Sequence, residues 1–123
     1  MNSAAVGKKG ESQAAAALEN AGMDIIAKNI RSKFGEVDIV AVEGETIVFA
    51  EVKTWSAYGM EDLQYGVNLK KQHKIIKTAK YFLSENRKYS NMTIRFDVVF
   101  VKKNPHCESC EVTHLASAFE ESV

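Results

Sequence analysis

The stretch GEVDIVAVEGETIVFAEVKTW, residues 35–55, is the most hydrophobic part of the chain, and its pattern predicts two strands of a hairpin. Val37, Ile39, Val40, Ala41 and Val42 belong to the first strand, and Ile47, Val48, Phe49, Ala50 and Val52 to the second. Gly44-Glu45 is the simplest turn, because glycine at the first loop position suits a tight two-residue connection. Upstream, SAAVGKKGESQAAAALENAG predicts a helix from about Val6 to Ala21 with Gly22 as its stop, and MDIIAKNIRS a short strand. Downstream, VNLKKQHKIIKTAKYFLSEN places Leu69, Ile75, Ile76, Ala79, Phe82 and Leu83 at helical spacing, in a helix beginning near Asn68. MTIRFDVVFVKK is a strand with Ile94, Phe96, Val98 and Phe100 on one face, and a last strand is expected around Glu111–Leu115. The order helix, three strands, helix, strand predicts an α/β fold with a mixed central sheet flanked by helices.

Composition changes this picture little. A chain of 123 residues, 46% hydrophobic and 26% charged, is expected to form one globular domain over 1–123 without disulfide or metal staples. No apolar run approaches the roughly 20 residues of a membrane helix. MNSAAVGKKGES lacks a hydrophobic signal segment, so a cytoplasmic location is expected. Two cysteines three positions apart are too few for a disulfide framework.

Charge is more informative. The net charge is zero, yet residues 1–67 carry −4, residues 68–88 carry +6 and residues 89–123 carry −2. The positive charge is concentrated on the second helix. The hairpin, in contrast, carries Glu36, Asp38, Glu51 and Lys53 within its apolar run. With a Gly44-Glu45 turn, facing residues sum to 89, so Asp38 stands opposite Glu51. Alternation puts all four charged side chains on one face. Moving the loop to Glu43-Gly44 puts Glu36 opposite Glu51 instead, and a two-carboxylate cluster survives. Facing carboxylates repel, and a divalent cation held by their oxygens relieves the repulsion. Lys53 would point to the same place, where its ammonium can stabilise charge on a phosphate oxygen. Two acids, a metal and a lysine suit phosphodiester hydrolysis. A solvated sheet face with incidental salt bridges is the plainer alternative, and it leaves the bulky apolar residues on both faces less well explained.

The spacing Asp38, Glu51-Val52-Lys53 resembles the PD-(D/E)XK nuclease signature, in which the proline is dispensable. More narrowly, GKKGESQAAAALENAG, KNIRSKFGEVDIVA, VFAEVKTW, LKKQHKIIKTAKYFL and IRFDVVFV resemble, in order, the small bacterial YraN-like family over about residues 7–102. The fold of that family is similar to archaeal Holliday-junction resolvases. Trp55 stands where the family usually has arginine. The resemblance implies a restriction-endonuclease-like αβββαβ core. It makes Asp38 and Glu51 ligands of Mg²⁺ or Mn²⁺, adds the carbonyl of Val52, and casts Lys53 as the catalytic lysine. Glu11 matches an acidic residue that such nucleases bring near the metal, although a solvated helix glutamate reads equally well. Glu36 fits an outer acid or a surface residue.

Lys70, Lys71, Lys74, Lys77 and Lys80 lie on or beside the exposed face of the second helix, where phosphates would be attracted. Lys71-Gln72 also resembles the position of an accessory active-site residue. A solvated lysine face is the alternative. His106, Cys107, Cys110 and His114 form a short zinc-like cluster, better read as a turn between strands because no second cysteine pair completes a common pattern. Asp97 faces away from Phe96 and Phe100. The loop 54–66 beside the charged hairpin is of a length often functional. The expectation is thus a metal-dependent endonuclease acting on DNA, with branched DNA as its target. A homodimer, presenting two basic helices and two metal sites, suits that target. The alternative is a nuclease-fold module that binds nucleic acid or a protein partner without cleaving.

Overall fold

The structure is a computed structural model and describes residues 3–56, 68–103 and 110–121. Helix α1 (Ser3–Asn20) is followed by strands β1 (Asp24–Ser32), β2 (Gly35–Glu43) and β3 (Thr46–Ser56). Helix α2 (Leu69–Glu85), a short 3-10 turn at Arg87–Tyr89 and strands β4 (Thr93–Lys103) and β5 (Cys110–Phe119) complete the order. The five strands form one mixed sheet in the order β1-β2-β3-β4-β5. Only β3 and β4 pair in parallel, with α2 in the segment that crosses between them. The expected order of helix, three strands, helix and strand is therefore observed, compatible with a restriction-endonuclease-like core. The last strand runs further than expected, to Phe119. Among the described residues no helix is long and apolar enough to cross a membrane.

The local reasons are visible at each boundary. At the end of α1, the Met23 N–H donates to Leu18 O and the Gly22 N–H to Glu19 O, both at 3.0 Å. Gly22 has φ +98, the left-handed conformation this closure needs. Leu18 and Met23 are both buried, so the cap also carries an apolar contact. Helix α2 starts at Asn68, whose Oδ1 accepts the Lys71 N–H at 2.9 Å. Between β2 and β3, Glu43 pairs with Thr46 across Gly44-Glu45, and Gly44 has φ +59.

Each helix covers one face of the sheet. Ala14, Ala15 and Leu18 of α1 pack with Ile39, Ala41, Val48, Ala50, Val99 and Val101. Ile75, Ile76 and Ala79 of α2 pack with Val40, Ile47, Phe49, Phe96 and Val98 on the other side. The small α1 residues let the helix lie close to the strands. At Gly10 an added Cβ would stand 2.3 Å from Thr54 Oγ1 of β3, so the contact tolerates no side chain without a shift.

Asp97 explains an irregularity on the far side of the sheet. The β4–β5 register shifts between Phe96 and Val98, and Ser117 opposite has φ +52. The fully buried Asp97 carboxylate accepts the Ser117 N–H at 3.0 Å and two bonds from Arg95, each 2.9 Å. His114 Nε2 lies 2.6 Å from its other oxygen. Burial alone would raise this carboxyl's pKa, but Arg95, His114 and Ser117 together hold it below the ordinary value. Asp97 thus pins the bulge. His114 is engaged there, whereas His106, Cys107 and the Cys110 side chain lie outside the described residues, as do loop residues 57–67 and the Trp55 side chain.

Candidate active site

The site forms where β2 and β3 part. Their ladder follows the sum of 89 from Glu43↔Thr46 to Ile39↔Ala50 and ends there. One step further, Asp38 and Glu51 would be the next facing pair, and the two carboxyls lie close enough to interact. Continued regular pairing would give the Val52 N–H to Val37. Instead, Asp38 Oδ2 accepts that N–H at 2.7 Å. A residue's N–H and C=O leave an extended strand by the same edge, so the Val52 carbonyl is also directed toward β2.

The alternation of β2 breaks at the same point. Ile39 and Ala41 belong to the core under α1, but Val37, two residues earlier, belongs to the core under α2. Across the β1–β2 pair, Lys28↔Ile39 and Ile30↔Val37 bracket Asn29, which has φ +52. Asparagine is among the residues that enter the left-handed region most readily. Its side chain hydrogen-bonds Glu11 of α1. The kink at Asn29 and Asp38 therefore joins three elements around one carboxylate.

Electrostatics follow from this geometry. Glu51 is 4% exposed, and burial together with the neighbouring Asp38 pushes its carboxyl up to about 7. Asp38 is likewise raised, by burial first, despite its bond from Val52 and the charge of Lys71. Glu11, half-buried, is raised by burial and then by Asp38, which places it within the field of the pair. Glu51 Oε1 receives the Lys71 ammonium at 2.6 Å. Glu51 Oε2 is buried and has no hydrogen-bond partner among the described residues. A buried, partnerless carboxylate oxygen is costly, and a cation beside it would remove that cost.

Lys53, two residues beyond Glu51 on the same strand, is half-buried, and its charge acts on Glu51. Glu36 is exposed and pairs with Arg31 at 3.4 Å, a surface contact beside the site. Lys71 lies within the site, its ammonium already held by Glu51, despite 42% exposure of its side chain. Burial would lower its pKa, but the bond to Glu51 and the surrounding acids keep it raised. Lys70 and Lys74 are exposed and line an open groove of about 350 Å³ with Gly35, Glu36, Asn68 and Lys71. Gln72 is half-buried on the same helix turn, its N–H bonded to Asn68 O at 2.9 Å. Among the described residues no three His, Cys, Asp or Glu side chains converge as a metal cluster. The oxygen donors present are two carboxylates and a carbonyl, which fit a hard cation completed by water.

Sequence reasoning did not single out Asn29 or the Lys71–Glu51 ion pair. Asn29 had one available signal, a turn-favouring residue inside a strand pattern. The ion pair had none, because it joins elements separated by the loop after β3.

The model of the uncharacterised protein family UPF0102 matches residues 10–101. A UPF0102 protein of Treponema denticola is 45% identical over 122 residues, covering 93% of this chain and 94% of that protein. One from Treponema pallidum is 41% identical over 119 residues, covering 96% and 94%. One from Syntrophus aciditrophicus is 42% identical over 116 residues, covering 93% and 87%. With the match spanning α1 through β4 and the whole Asp38–Glu51–Lys53 constellation, the chain belongs to the UPF0102 family of YraN-like proteins.

Proposed function

We propose that this chain is a metal-dependent nuclease that cleaves DNA phosphodiester bonds. The observation that carries the proposal is the pairing of half-buried Asp38 with buried Glu51, one of whose oxygens has no partner among the described residues, where two strands separate. Lys71 pairs directly with Glu51, so one ammonium in contact serves two adjacent acids, and Asp38 feels it only at longer range. Asp38, Glu51 and the Val52 carbonyl would hold Mg²⁺ or Mn²⁺. Such an ion would polarise the phosphate and acidify an attacking water. Lys53 stabilises negative charge growing on the phosphate oxygens. Glu11, its proton affinity raised by burial and then by Asp38, is a third carboxyl at the margin and suits proton exchange with water there. Lys70 and Lys74 hold the DNA backbone along the groove. Branched DNA is the target we propose, with a symmetric dimer presenting two such sites.

One observation favours a second reading. Lys71 already places a cation on Glu51, so a protein that binds nucleic acid without metal would keep that ion pair permanently. Incubating labelled linear, flap and four-way DNAs with Mn²⁺ separates the two. Cleavage of any of them supports the nuclease. Binding without cleavage, together with no metal heat in calorimetry, supports the second reading.

A further inference from the structure

Phe34 lies at the tip of the β1–β2 turn, and the residue is 36% exposed. The turn is held, not loose. The Phe34 N–H donates to Ser32 Oγ at 3.0 Å, and the Ser32 and Thr78 hydroxyls lie 2.9 Å apart, fastening the turn to α2. Gly35 comes so close to α2 that an added Cβ would be 3.2 Å from the Lys74 Cβ. The backbone that carries the ring is therefore held against the helix. Two ammoniums attend it, Lys33 at 5.2 Å and Lys77 at 5.6 Å from the centroid. Both lysines are exposed.

A single exposed aromatic is ordinary. This one sits at the head of a basic groove. Gly35, the next residue, lines that groove with Lys70, Lys71 and Lys74, and Lys71 touches Glu51. A flat apolar ring beside a track of lysines is what a single nucleic-acid strand uses. Bases stack on the ring while the phosphates follow the positive charge. In a duplex the base faces are covered by their neighbours, so the ring has nothing to take. Lysine over an exposed ring contributes only about a two- to fivefold preference, whereas base stacking contributes about 5- to 150-fold. A base can therefore displace Lys33 or Lys77 from the ring and leave that ammonium free for a phosphate.

We propose that Phe34 is a stacking platform for an unpaired base, which makes DNA with a single-stranded stretch beside the cleavage point the substrate of the site. This rests on the nuclease reading above and adds the substrate class. Fully paired four-way junctions should then bind less well than flaps or gaps.

The test is binding in EDTA, where no cleavage occurs, with 2-aminopurine placed in the single-stranded arm of a flap DNA. Wild-type protein should bind the flap more tightly than a blunt duplex of matched length and quench the 2-aminopurine. Phe34→Ala should lose about 5- to 150-fold on the flap and less than about twofold on the duplex, and should lose the quenching. Phe34→Trp should retain both. An unchanged melting temperature for Phe34→Ala shows that the fold is intact. Equal effects on both DNAs, no effect on either, or no binding by wild type would overturn the inference, as would tighter capture of a matched RNA strand. Metal-dependent cleavage with Phe34-independent flap binding defeats this inference alone. Phe34-dependent flap binding without cleavage under any metal leaves it standing and defeats the nuclease reading.

Discussion

Glu51 is the residue whose chemistry most constrains the account. Folding retains its proton up to about pH 7, whereas the unfolded chain releases it near the ordinary value of 4.5. Between those values the native state binds more protons than the unfolded state, so this group makes metal-free stability fall as pH rises. Thermal melts in EDTA from about pH 5 to about pH 8 should show that decline, and Glu51→Gln should flatten it. A metal needs the ionised carboxylate, so the melting-temperature gain from Mg²⁺ or Mn²⁺ should grow over the same range. Asp38→Asn and Glu51→Gln should each abolish that gain. Equal gains in all three proteins would place the metal elsewhere. Lys53→Met makes a different prediction. It should leave the metal-induced gain in place and lower turnover far more than DNA affinity, because its charge acts on the transition state. Near wild-type turnover in Lys53→Met would remove it from the chemistry.

The elements hold these residues by ordinary means, which can be weakened one at a time. Asn68→Ala removes the α2 cap beside Lys71 and should cost about 1 kcal/mol in denaturant unfolding. Leu18→Ala, under α1, should cost about 2–5 kcal/mol because a fully buried side chain leaves a cavity. Neither change should abolish the metal response, because neither removes a ligand. Loss of the response in Asn68→Ala alone would show that the Lys71–Glu51 contact governs the metal seat. Most of the element plan was legible in the chain. The turn at Gly44-Glu45, the stop at Gly22 and the start of α2 near Asn68 all depend on neighbours in sequence. That Asp38 and Glu51 come within range of each other followed from the turn alone. The break in alternation at Asp38 was not legible, because it depends on Asn29 of another strand and Glu11 of a helix. Asp97 was read as facing away from Phe96 and Phe100 without a role, since His114 and Ser117 reach it only from β5 across a register shift.

At the scale of the whole molecule, charge is separated between an acidic site and a basic helix in a protein with net charge zero. Lys71 is held by Glu51, so Lys70 and Lys74 are the better probes of phosphate contact. Lys70→Glu combined with Lys74→Glu should weaken DNA binding and reduce its dependence on salt, read from binding curves at several salt concentrations. An unchanged salt slope would move the DNA path to another surface. The central claim is that Asp38, Glu51 and Lys53 form one metal-dependent cleavage site. It is tested most directly by measuring Mn²⁺-dependent cleavage of labelled flap DNA by wild type, Glu51→Gln and Lys53→Met side by side. The account predicts products from wild type only, with EDTA abolishing them. Equal product from either variant, or none from wild type at any DNA structure and metal concentration, would contradict it.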